Sequence, residues 1–106
     1  MDISDWRDKI DEFDRKLVEL LNHRANAAIE IGKLKRQAGM RIYEPDRERQ
    51  VMQNIWDNNA GPLSEQDLVK VYERLLDVMR NVQKRIIAPD AEPTRHDTEI
   101  DSQHED

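Results

Sequence analysis

The sequence predicts an all-α domain of three helices per chain, the first of them unusually long. Apolar residues recur at steps of three and four in three separate stretches, the period of a helix with one buried face. Glycine (three) and proline (four) are scarce in 106 residues, which disfavours a turn-rich β fold. The first stretch runs for about 35 residues, a rod of about 50 Å at 1.5 Å per residue. Such a rod is longer than a domain of this size is wide, so it projects beyond its own fold and is expected to pair with another chain.

The first stripe is Trp6, Ile10, Phe13, Leu17, Leu20, Leu21, Ala28, Ile31 and Leu34. Asp2 or Ser4 can cap its start, and Gly39 in "QAGMR" can end it. Ile42 and Tyr43 form a connector, and Pro45 suits the first turn of a second helix. Val51, Met52, Ile55 and Trp56 give that helix an apolar face, and "DNNAGP" stops it. Ser64 with Asp67 resembles a capping box for a third helix. Its stripe is Leu68, Val71, Tyr72, Leu75, Val78, Met79, Val82 and Ile86, and Pro89 ends it.

Composition bounds the rest. A chain of this length is one domain, here residues 1–88, too small to enclose a deep cavity easily. The formal charge of −6 belongs to residues 89–106, which hold seven acids and one base; residues 1–88 hold sixteen of each. With one bulky apolar residue, Ile100, that acidic tail is predicted to be disordered. A neutral body gives no reason to expect nucleic-acid binding. Cysteine is absent, which excludes disulfides and thiolate chemistry. No apolar run approaches the roughly 20 residues of a membrane span, and "MDISDWRDK" has no signal-peptide core, so a soluble cytoplasmic protein is expected. Metal-ligand spacings and glycine-rich phosphate loops are lacking, so no cofactor is expected.

Three polar residues sit where apolar ones belong. Arg24 interrupts Leu20, Leu21, Ala28 and Ile31, and Lys35, eleven residues on, falls within about 20° of the same face. Gln83 follows Met79 by four residues on the third helix. Burying such groups is costly unless they are paired. Either internal partners satisfy them (Asp14 or Glu48 for Arg24) or a small anion does. The stretch "IYEPDRERQ" poses the same choice, since its charges suit a solvated helix start or the wall of a site. Arg7 is about 26 Å from Arg24 on a straight helix, so the two cannot grip one small ligand within a chain. It is either a solvated arginine beside Asp5, Asp8 and Asp11 or a group lent across a two-fold axis.

The frame R-x-x-I-x-x-x-D-x-x-L-x-x-L-L-x-x-R, then I-G-x-x-K, then D-R-E-R, with a glutamine in "MRNVQ", resembles the AroQ-class chorismate mutases. The likeness covers roughly residues 5–86. It implies an intertwined all-helical homodimer that rearranges chorismate to prephenate on the route to phenylalanine and tyrosine. Residue by residue, it implies that Arg7 reaches the partner's site and holds a substrate carboxylate, and that Arg24 holds a carboxylate in its own chain. Lys35 would bond the ether oxygen and a carboxylate, and Gln83 would donate to the ether oxygen. Glu48 would accept from the ring hydroxyl, with Glu44 standing where the family often has aspartate. Arg47 would support the site. Two positions depart from the family: Met79 replaces a frequent serine and His23 a frequent acid.

A [3,3] rearrangement needs no nucleophile, metal or cofactor, which fits this sequence. Chorismate is a dianion, for which arginine forks are suited clamps, and clamping holds the folded conformer in which the reacting carbons meet. Donors aimed at the ether oxygen stabilise charge that develops as its C–O bond breaks. Isochorismate pyruvate lyase shares the fold but departs from the hydroxyl-binding pattern, and the intact "DRER" favours the mutase. A non-catalytic helical dimerisation module is the other alternative.

Overall fold

The computed structural model describes residues 1–87, so the predicted tail at 89–106 lies outside the described residues. Three helices follow one another: α1 (Ile3–Gln37), α2 (Pro45–Asn58) and α3 (Glu65–Ile87). The expectation of an all-α, three-helix chain is met. Of the two candidate caps for α1, Asp2 serves. Its carboxylate accepts from the Asp5 N–H at 2.9 Å, and the Asp5 carboxylate accepts in return from the Asp2 N–H. The helix closes with Gly39 at φ +68°, where Met40 N–H reaches the Lys35 carbonyl at 2.8 Å and Gly39 N–H the Arg36 carbonyl at 3.2 Å. This paired closure needs a left-handed residue, which glycine adopts without a Cβ penalty. Pro45 opens α2, and the Ser64 hydroxyl accepts from Asp67 N–H at 3.1 Å at the start of α3.

Only half of α1 packs within its own chain. Its buried residues, Ala28 and Gly32, are one turn apart, and their small size lets α3 approach closely. On α3, Leu76, Met79, Asp77 and Gln83 are buried, and Gln83 bonds to the Ala28 carbonyl of α1. The short loop sets α2 antiparallel to α3, so that Glu48 at the start of α2 meets Arg80 near the end of α3.

Residues 1–20, by contrast, are all exposed, and Trp6, Ile10, Phe13 and Leu17 keep 53–63% of their surface open. The longest dimension, 53 Å, is that of the rod. On α3 the expected stripe is partly corrected. Val71, Val78 and Ile86 point outward, whereas Leu76, not predicted, is buried. The inner line of α3 runs Leu76, Met79 and Arg80, Gln83, also at steps of three and four, because it follows the surface that α1 and α2 present together. Among the described residues no helix is long and apolar enough to cross a membrane.

Candidate active site

The C-terminal half of α1, the start of α2 and the end of α3 enclose a cleft of about 310 Å³. From α1 it is lined by Arg24 and Lys35, from the connector and α2 by Glu44, Arg47 and Glu48, and from α3 by Met79, Arg80 and Gln83. All the predicted site residues converge there except Arg7, which lies on the exposed first half of α1.

Two inward polar groups are held by fixed backbone partners. The Lys35 ammonium, on a side chain 12% exposed, donates to the Ile42 carbonyl at 2.9 Å and meets the Glu44 carboxylate at 2.8 Å. An ammonium has three N–H donors, so one is left for the cleft. Gln83 is buried, and its Nε2 donates to the Ala28 carbonyl at 2.7 Å, leaving its second N–H. Each anchor restricts the side chain to one orientation, which is what a preorganised donor requires.

Arg24 behaves differently. Neither Asp14 nor Glu48 pairs with it; it is half-buried at the cleft wall with no hydrogen-bond or ion-pair partner among the described residues. Glu48 is taken instead by Arg80, whose Nη1 donates to Glu48 Oε2 while Nη2 donates to Asp77 Oδ1 at 3.1 Å. The Arg80 guanidinium also lies over the Tyr43 ring, 5.2 Å from its centroid. Burial alone lowers its pKa, but the hydrogen bonds and charges of Glu48 and Asp77 outweigh that and raise it, so Arg80 is a permanent cation.

The apolar periodicity does not single out Arg80. The available signal was the Asp77/Arg80 pair at i,i+3 inside an apolar stripe, which is unusual for a merely solvated pair. The rest of "EPDRER" divides as its helical positions require. Arg49 pairs with Asp46 on the exposed face, and Arg47 donates to Gln50 at 2.6 Å from the cleft rim. His23 lies outside the cleft, exposed, 3.6 Å from Glu19. Met79, 6% exposed, is both core and cleft wall.

Four cations thus face two carboxylates around the cleft, an excess of two positive charges, reduced to one by Asp77 behind Arg80. Such an excess of positive charge, with hydrogen-bond donors between, suits a small anion. Residues 6–84 match the family described as chorismate mutase type II. The chain belongs to that family. A chorismate mutase of Methanocaldococcus jannaschii is 27% identical over 93 residues, covering 80% of this chain and 87% of that protein. The bifunctional chorismate mutase/prephenate dehydratase of Aquifex aeolicus is 30% identical over 89 residues, covering 80% of this chain. The chain spans about 25% of the length of that bifunctional relative. The solved chorismate mutase of Thermus thermophilus superposes with a TM-score of 0.77 at 25% identity, covering 79% of this chain and 96% of that one. The chorismate mutase type II match spans all three helices, and with them every element that lines the cleft.

Proposed function

We propose that the chain is a chorismate mutase, converting chorismate to prephenate as a homodimer with two equivalent sites. The observation that carries this reading is the set of polar groups around one cleft: Arg24 without a partner among the described residues, Lys35 and Gln83 each with a spare donor, and Glu44 and Glu48 opposite. In a chain of this family, that set matches a dianion whose reacting centre is an ether oxygen.

Arg24 clamps one carboxylate bidentately. Arg7 of a second chain clamps the other. It also brings the local positive excess back to two, matching the substrate's charge. The exposed Trp6, Ile10, Phe13 and Leu17 supply the apolar surface by which two α1 rods associate. Held in this way, the substrate's reacting carbons meet. The ether C–O bond breaks as the new C–C bond forms, and no proton is transferred. Lys35 and Gln83 donate to the ether oxygen as negative charge builds on it, while Glu48 and Glu44 accept from the ring hydroxyl and face the ring as it becomes cation-like. Arg47 supports the rim, and Met79 fills the wall where the family frequently has a hydroxyl.

The test is incubation of the purified protein with chorismate and, separately, with isochorismate. Prephenate from chorismate is expected. Salicylate and pyruvate from isochorismate, without prephenate from chorismate, would replace the mutase by a lyase. Turnover of neither would leave a binding or dimerisation module.

A further inference from the structure

We infer that Arg80 is a positioning residue for the proposed rearrangement: it fixes the Glu48 carboxylate at the ring side of the cleft. The inference rests on the mutase reading and adds to it a residue that acts through another. One guanidinium joins two helices, with Glu48 of α2 on Nη1 and Asp77 of α3 on Nη2. All three side chains are largely withdrawn from water, at 20% exposure for Arg80, 24% for Glu48 and 4% for Asp77. The guanidinium also lies over the Tyr43 ring, a cation–π contact that favours this position.

A glutamate on the first turns of α2 has three free torsions, and an unheld carboxylate at a cleft wall would sample several of them. Arg80 removes that freedom by holding one oxygen, Oε2, which leaves Oε1 to accept from a ligand hydroxyl. Asp77 in turn keeps Arg80 from turning toward the bound anion. The arrangement therefore runs in one direction: the buried Asp77 holds Arg80, Arg80 holds Glu48, and Glu48 meets the ligand. It also forms a wall. Glu48, Leu76 and Arg80 line the cleft on one side and, on the other, a second cavity of about 640 Å³ between α2 and α3. A lysine at 80 would supply the charge but not a planar fork that reaches two carboxylates on different helices.

The test is a double-mutant cycle on the full chain, with Arg80→Met, Glu48→Gln and the pair, each checked for helicity and assayed with chorismate. Arg80→Met is expected to lower kcat roughly ten- to a hundredfold, the scale of losing alignment by about an ångström, with KM changed by less than about threefold. In the Glu48→Gln background the same substitution should cost less than about threefold, because the group it positions is already altered. Arg80→Lys retains a cation for the buried Asp77; it carries the cycle if Arg80→Met does not fold, and should regain only part of kcat. Equal losses in both backgrounds, or a loss confined to thermal stability with kcat intact, overturn the role of Arg80. A wild-type chain that makes no prephenate overturns the mutase reading itself, and the two failures are distinct.

Discussion

Replacing Lys35 by alanine separates the proposed catalytic use of this side chain from its structural use. The structural loss has two parts. The Ile42 carbonyl loses a part-buried donor at 2.9 Å, a change worth about 1–2 kcal/mol when no water replaces it. Glu44 loses its ion-pair partner, but its side chain is 36% exposed and can be rehydrated, so this part is about 0.5 kcal/mol. Stability should therefore fall by about 2 kcal/mol, within what a folded domain tolerates. The catalytic loss is larger. In the proposed mechanism the spare N–H of Lys35 donates to developing charge on the ether oxygen, and such a donor is worth about 3–4 kcal/mol, or roughly 10²–10³-fold in kcat. Steady-state rates of chorismate loss at saturating substrate, beside a urea titration of the same samples, measure both quantities. A folded Lys35→Ala dimer with kcat within about threefold of wild type would refute the assignment.

Three further outcomes follow from the same geometry. Refolding an equal mixture of Arg7→Ala and Lys35→Ala chains, each nearly inactive alone, should restore about a quarter of wild-type activity, since half the dimers would hold one complete site; no recovery with heterodimers present would rule out a site shared between chains. Met79→Ala should cost about 2–4 kcal/mol in denaturant, as expected for a buried methionine, and leave KM for chorismate unchanged, whereas a clear fall in KM would show that the side chain crowds the ligand. At Gly39, where φ is +68° and no atom lies within 4 Å of a new Cβ, alanine meets backbone strain alone, so the expected loss is about 1 kcal/mol with full activity per folded dimer.

Much of this was legible because helical period and helix-end chemistry are local. Gly39, Pro45 and the Ser64/Asp67 pair mark boundaries through backbone geometry that a few neighbouring residues decide. Arg24, Lys35 and Gln83 stood out because each breaks an apolar stripe. The stripe of α3 was read less well, since which side of a helix faces inward depends on where two other helices lie. Val71 and Val78 are apolar yet exposed, while Leu76, four residues after Tyr72 and three before Met79, is buried. Arg80 was hidden for a related reason. The Asp77/Arg80 pair inside an apolar stripe marks an inward charge, but its role depends on the contact with Glu48, 32 residues away, which no local pattern specifies. The sequence leaves Glu48 open as a partner for Arg24, and the structure gives it to Arg80 instead.

The closure of α1 has a consequence for where this chain can change length. Lys35 holds the connector twice: its carbonyl accepts from Met40 N–H, and its ammonium reaches the Ile42 carbonyl and Glu44. The residues between 35 and 44 are therefore a fixed spacer, and one inserted residue would carry Glu44, and with it the start of α2, out of register with the end of α1. The turn at 59–64 is closed by contacts among its own residues, Asn59 bonding to Leu63 and Gly61, and supplies nothing to the cleft. Insertions, tags and chain breaks belong at that turn, while the connector admits substitutions but no change in length.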